Sequence, residues 1–234
     1  MRVKAVLFDL DGTLLDTLED IASSANSALV RYGLPTHSVD AYRYFIGDGV
    51  TMLMSRALPD EKRDSDIIAK CVKRFREDYS RNWNVKTRPY EGVPELLDAL
   101  AAKQIKMAVL SNKPDDFTKR CVSELLPNHN FEMILGQRHG IPMKPDPVGA
   151  LQIADNLGIA PSRFLYLGDS AIDIETAVRA GMFPVGALWG FRPLEELQEH
   201  GAQAVIERPM DLLWLLNKTE QKGQVSTFDI CVES

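Results

Sequence analysis

Val3-Lys4-Ala5-Val6-Leu7-Phe8-Asp9-Leu10-Asp11-Gly12-Thr13 is the stretch that decides the fold. Residues 3–8 are apolar apart from Lys4 and valine-rich, the pattern of a short buried strand. Two acids then follow two positions apart. On an extended chain they project the same way, and Gly12 lets the backbone turn closely against a ligand. Close carboxylates repel unless they share a cation or a proton, so the pair invites Mg²⁺. An exposed turn furnished with Asp-Gly is the plainer alternative for this stretch alone.

Outward from this strand, short apolar runs recur at 107–110, 133–135, 164–167 and 183–188, with 204–206 as a sixth strand. Helix-like segments lie between most of them, at 94–102, 114–125, 147–157 and 172–180. Pro94, Pro114 and Pro147 sit where a first helical turn tolerates a missing N–H. Strands alternating with helices predict a parallel sheet covered on both faces, a Rossmann-like α/β core.

Residues 15–88 break the alternation. Leu18, Ile21, Ala22, Ala25, Ala28 and Leu29 line one helical face, and Ile67, Ile68, Cys71, Val72 and Phe75 line another. The charged run at 60–66 reads as a solvated helix face. The predicted organisation is an α/β catalytic core from 1–14 and 89–217, an inserted all-helical cap at 15–88, and a flexible tail at 218–234. Ligands of open α/β sheets bind at the carboxyl ends of the strands, so the cap is expected to act as a lid.

Three further motifs fall at or just beyond predicted strand ends. Ser111-Asn112 offers a hydroxyl and backbone N–H groups that can bind phosphate oxygens, although capping of the next helix explains the pair equally simply. Lys144, between Met143 and Pro145-Asp146-Pro147, offers a point charge for a phosphoryl group; an exposed lysine in a proline-rich turn is its alternative. Gly168-Asp169-Ser170, followed by Asp173, adds carboxylates to a metal site, or caps a helix. Four motifs at the carboxyl ends of parallel strands fit one assembled site better than four unrelated caps and turns.

Composition agrees with that site. The 234 residues carry a formal charge of -6, which argues against a nucleic-acid or anionic-membrane surface as the main partner but leaves room for a local cationic pocket. Three widely spaced cysteines, Cys71, Cys121 and Cys231, form no CxxC pair. Neither a zinc knuckle nor a disulfide framework is indicated, and a reduced, cytoplasmic compartment is expected. No stretch is long and apolar enough to span a bilayer. Asp9 and Asp11 interrupt the apolar start too early for a signal peptide.

With its four motifs in order, Asp9-Leu10-Asp11-Gly12-Thr13, Ser111-Asn112, Lys144 and Gly168-Asp169-Ser170 with Asp173, the chain resembles the haloacid dehalogenase-like superfamily. Within it the chain looks most like phosphoglycolate phosphatases, on the helical insertion, on Phe45-Ile46-Gly47-Asp48-Gly49 and on Leu188-Trp189-Gly190-Phe191. The resemblance implies a Mg²⁺-dependent phosphatase acting on a small phosphomonoester through an aspartyl phosphate. Asp9 would be the nucleophile and Asp11 the acid and then the base. Ser111, Asn112, Lys144 and Gly12 would hold the phosphoryl group. Mg²⁺ would be held by Asp9, the Asp11 backbone carbonyl and Asp169, with Asp173 orienting ligands. Asp11 argues against a dehalogenase, whose halide leaving group needs no acid.

Open alternatives are a phosphosugar mutase, a pyrophosphatase and a catalytically silent phospho-ligand-binding protein. The partner implied is a small phosphorylated metabolite, with the chain a monomer or homodimer. His37, His129, His139 and His200 lack metal-ligand spacing, with His139 close enough to Lys144 in sequence to line a pocket. Arg43 and Arg56 are candidates for a substrate carboxylate or for a solvated face. Lys113 supports the phosphate site or begins a solvated helix, and Trp189 packs the last strand.

Overall fold

The structure is a computed structural model that describes residues 2–222 and 229–231. Two compact units divide the chain, Met1–Leu14 with Pro89–Ser234, and Leu15–Arg88.

The first unit is built on β1 (Ala5–Phe8), whose four residues are all buried, as a strand covered on both faces requires. Strands β2 (Leu15–Asp16) and β3 (Arg88–Pro89) form a separate two-stranded ribbon where the chain passes to the second unit and back. The remaining strands are β4 (Lys106–Pro114), β5 (Met133–Gln137), β6 (Phe164–Gly168), β7 (Phe183–Ala187), β8 (Ala204–Ile206) and β9 (Asp229–Cys231). With β1 they make one parallel sheet in the order β5-β4-β1-β6-β7-β8-β9. The chain therefore builds outward on one side of β1, then returns to build on the other. That reversal beside β1 opens a crevice at the strand ends. This is a Rossmann-like α/β fold.

Register levels the motifs. Phe8 lies opposite Val109 of β4 and Leu167 of β6, and the Asp9 amide donates to the Leu167 carbonyl at 3.0 Å. Asp9, Ser111 and Asp169 thus leave adjacent strands within a residue or two of the same height. On one face of the sheet, Ala5, Leu7, Ala108 and Tyr166 alternate inward and join a core with Ile153 and Ala177. Each fully buried large side chain there contributes roughly 2 to 3 kcal/mol to folding.

The helices of the second unit are α1 (Leu18–Arg31), α2 (Tyr42–Phe45), α3 (Gly49–Ala57) and α4 (Ser65–Asn82). Those of the first unit are α5 (Val93–Ala102), α6 (Asp115–Leu125), α7 (Val148–Leu157), α8 (Ala171–Ala180), α9 (Leu194–Glu199) and α10 (Asp211–Lys222). Helices α1 and α4 pack together, α1 with the apolar face read from the sequence and α4 with Cys71, Phe75 and Tyr79. Ile67, Ile68 and Val72 are only half-buried: Ile68 and Val72 lie off the row of Cys71, Phe75 and Tyr79, and Ile67 continues that row into the first turn of α4. The charged run at 60–66 is not a helix face. It forms a 3-10 turn at Asp60–Lys62 and an N-cap, Asp64, whose carboxylate accepts from the Asp66 and Ile67 amides at 3.1 and 2.9 Å.

One buried carboxylate of this unit has no signal in the sequence. Asp20, in the first turn of α1, accepts from the Lys86 amide at 2.9 Å, the Thr87 amide at 2.8 Å and the Thr87 hydroxyl at 2.8 Å. It fastens the returning chain just before β3. At the other end of the sequence, α10 carries residues 218–222 and β9 takes 229–231; the rest of the stretch read as a tail lies outside the described residues.

Candidate active site

Asp9, Asp169 and Asp173 bring ligand oxygens within 4.8 Å of one another. All three are buried, at 6%, 1% and 1% exposure. Each comes from a different local cause: Asp9 is the first residue after β1, Asp169 follows β6, and Asp173 sits in the first turn of α8. Lys144, 7% exposed, enters from the loop after β5. Its Nζ donates to Asp9 Oδ1 at 2.7 Å, Asp173 Oδ1 at 2.6 Å and the Leu110 carbonyl at 3.1 Å.

The electrostatics follow from that geometry. Burial first, and then the Asp173 charge, push the Asp9 carboxyl well above the usual carboxylate range, against the opposing pull of Lys144. Burial also dominates at Asp169, pushed up to about 7, with Asp173 adding to it. Burial lowers the Lys144 ammonium, but the facing Asp173 and Asp9 carboxylates override this and hold it well above its ordinary value. Three buried acids share one ammonium that reaches two of them, so full ionisation would leave an excess of negative charge.

The donor set fits a hard divalent cation, being all oxygen with no His or Cys. Its outer partners are fixed too. Asp169 Oδ1 accepts from the Thr13 hydroxyl at 3.2 Å, and Oδ2 from the Phe191 amide at 2.7 Å. Asp173 Oδ2 accepts from the Ser170 hydroxyl at 2.6 Å and the Ser170 amide at 3.2 Å. Ser170 is also the N-cap residue of α8, so the capping alternative and the site coexist. The Ser170 hydroxyl thereby donates to Asp173.

Gly12 is required on two counts. Its φ is +93°, and an added Cβ would lie 2.3 Å from Asp169 Oδ2. Gly12→Ala is therefore expected to displace Asp169. Direct titration with Mg²⁺ should show binding weakened by about tenfold or more; an unchanged titration would refute this reading of the contact.

The other expected residues are distributed as follows. Ser111, Asn112 and Lys113 are all buried and lie within β4, which runs to Pro114 instead of ending at 110. Register with β5 slips there: Leu110 pairs with Leu135 but Pro114 with Gln137, four steps against two. The Asn112 side chain turns to the Lys144 main chain, accepting from its amide at 2.9 Å and donating to its carbonyl at 3.0 Å. The Asn112 side chain thus positions Lys144. Asp11 stands apart from the acidic trio; its Oδ1 and Oδ2 accept from Lys113 Nζ at 3.0 and 3.2 Å.

Several other side chains have structural partners. Trp189 Nε1 donates to the Thr13 carbonyl at 2.9 Å, tying the loop after β7 to the first motif. In the helical unit Arg56 pairs with Asp48 and donates to the Phe45 carbonyl at 3.2 Å, and Arg43 pairs with Asp40 at 2.8 Å. His37 packs edge-on to Tyr42 and Phe45. His129 faces Asp98, His200 faces Glu175, and His139 is exposed. No helix among the described residues is long and apolar enough to cross a membrane.

Comparison with known proteins points the same way as the geometry. The model of the haloacid dehalogenase-like hydrolase family matches residues 6–187. A phosphoglycolate phosphatase of Aquifex aeolicus is 35% identical over 215 residues, covering 92% of this chain and 97% of that protein. An N-acetylmuramic acid 6-phosphate phosphatase of Pseudomonas aeruginosa is 32% identical, covering 93% and 96%. Among solved structures, a putative phosphoglycolate phosphatase of Lactobacillus delbrueckii subsp. bulgaricus superposes with a TM-score of 0.87 at 31% identity, covering 92% and 99%. The chain belongs to the haloacid dehalogenase-like hydrolase family.

Proposed function

We propose that this protein is a Mg²⁺-dependent phosphatase of small phosphomonoesters, with 2-phosphoglycolate the leading substrate. The observation that carries the reading is the buried Asp9, Asp169 and Asp173 trio with Lys144 bonded to two of its members.

Asp9 Oδ1 is held by Lys144, which leaves Oδ2 to attack phosphorus. As the Asp9–phosphorus bond forms, the bond to the leaving oxygen breaks, and Asp11 gives that oxygen its proton. Asp11 then takes a proton from water, which attacks phosphorus and releases phosphate and free Asp9. Lys144 favours the ionised form of Asp9 against burial and the Asp173 charge, and opposes charge on the phosphoryl oxygens. Ser111 joins it in holding those oxygens. Bound Mg²⁺, held by Asp9, Asp169 and the Asp11 main chain with Asp173 beside them, would supply further neutralisation of phosphoryl charge. Residues 1–14 and 89–217 form the catalytic domain in this reading, and 15–88 a cap that selects substrate.

The test is inorganic phosphate release from a panel led by 2-phosphoglycolate, with N-acetylmuramic acid 6-phosphate and sugar phosphates beside it, with and without Mg²⁺. Magnesium-dependent release supports the proposal, and the preferred compound names the substrate. No release from any compound would sink it, and phosphosugar isomerisation without release would replace it with a mutase.

The acid trio also predicts how Mg²⁺ should act on stability. Asp169 binds its proton more tightly folded, at about 7, than at its ordinary 3.8, so metal-free stability is lost as pH rises between these values. A cation relieves that charge and competes with the proton. Added Mg²⁺ is expected to raise the melting temperature at pH 8 and to raise it less at pH 6. Equal increments at both pH values would contradict a metal site built on these acids.

A further inference from the structure

Of the two readings of Lys113 in the sequence, its burial removes the solvated helix start. Its side chain is 5% exposed and that of Asp11 is 11%, and one ammonium bridges both carboxylate oxygens. The partners are 102 positions apart. They meet because the register slip in β4 accommodates two extra residues between Leu110 and Pro114, just where Lys113 lies. The surrounding backbone is tied down as well. Ser111 Oγ accepts from the Lys113 amide at 3.3 Å, and the Lys113 carbonyl accepts from Thr118 Oγ1 of α6 at 3.1 Å.

Asp11 follows Asp9 on a loop whose next residue is the left-handed Gly12. A carboxylate on such a turn has χ1 and χ2 freedom unless something holds it. Proton transfer to a leaving oxygen needs the acid within about 3 Å of that oxygen and correctly aimed, so orientation carries rate. A lysine bonded to both oxygens fixes the carboxylate plane. The Lys113 side chain is itself buried, which holds the ammonium beside Asp11 and away from solvent.

We infer that Lys113 is a positioning residue for Asp11, aiming its carboxyl at the leaving-group oxygen of the substrate. This rests on the phosphatase reading and adds to it the residue that orients the acid. Lys113 touches neither phosphorus nor Asp9 in this role. In the step it serves, one Asp11 oxygen is protonated and turned to the substrate while the other still accepts from Lys113, and that proton passes to the leaving oxygen as the phosphorus–oxygen bond breaks.

Leaving-group dependence tests this. An alkyl phosphate such as 2-phosphoglycolate needs its leaving oxygen protonated, whereas the nitrophenolate of p-nitrophenyl phosphate leaves without a proton. The quantity compared is kcat/KM, which covers only steps up to leaving-group departure and so excludes later use of Asp11 as a base. Lys113→Met is expected to lower kcat/KM for the alkyl ester by about ten- to a hundredfold and for the aryl ester by less than about threefold. Lys113→Arg should restore most of the alkyl activity. In an Asp11→Asn background, Lys113→Met should have no further effect on the alkyl ester.

Equal losses on the two esters, or an undiminished loss in the Asp11→Asn background, would overturn the assignment and make Lys113 a phosphate-binding or structural residue. Thermal melts identify a variant that fails to fold, and Lys113→Arg and the double variant then carry the decision. Failure of the phosphatase reading is separate: the unaltered protein would release no phosphate from either ester.

Discussion

Asp9→Asn is expected to lower phosphate release by about 10⁴-fold or more while leaving the protein folded. The substitution keeps size and planarity but exchanges the Oδ nucleophile for an amide, which cannot form an acyl phosphate of useful lifetime. Its effect on stability should run the other way. Asp9 belongs to a trio with more negative charge than Lys144 neutralises, and burial opposes its ionisation. Removing that carboxylate leaves Lys144 its bond to Asp173 Oδ1 at 2.6 Å. The metal-free melting temperature should therefore hold or rise, and its response to Mg²⁺ should shrink. A variant retaining a tenth of the activity would remove Asp9 as nucleophile; a variant that melts early would make the activity loss uninformative and direct attention to Asp169.

The fold was readable where local pattern dictates it. The buried run of β1, with acids at once behind it, announces a strand whose carboxyl end is functional, and β6 repeats the sign in Phe164–Gly168. Alternating strands and helices then place those ends together, because parallel strands joined by right-handed crossovers share one direction. The face of α1 was equally plain from its 3.6-residue period.

What escaped reading depends on register and rotamer, which no period reports. Lys113 looks like the start of a solvated helix, but β4 continues to Pro114 and its slip against β5 buries the lysine beside Asp11. Asn112 sits in the phosphate motif, yet its amide has the reach to clamp the main chain of Lys144, 32 positions on. Asp20 looks like an ordinary first-turn acid favouring the dipole of α1, and becomes a buried clasp only because residues 86 and 87 return past it. In each case the side chain type permits several partners, and the tertiary fold chooses.

Lys144→Met should carry the second large effect, and it separates charge from bulk. Methionine fills much of the volume of lysine, so packing is largely kept, but Asp9 Oδ1, Asp173 Oδ1 and the Leu110 carbonyl lose their shared donor. Breaking a buried charge pair from one side costs about 3 to 5 kcal/mol, because the remaining charges stay desolvated. For a chain of this size that corresponds to a melting temperature lower by roughly 10 °C. The loss should depend on pH with a definite sign. Without the ammonium, the carboxyls bind protons more tightly in the folded state than in the unfolded, so stability falls as pH rises. The variant should thus be closer to the unaltered protein at pH 6 than at pH 8, and Mg²⁺ should recover part of the difference at pH 8. Activity should fall by about 10²- to 10³-fold even at saturating Mg²⁺, since the charge facing the phosphoryl oxygens is gone. A melting temperature unaffected at pH 8 would show that the acids share their protons without Lys144, and would take from it the central place assigned to it in the site.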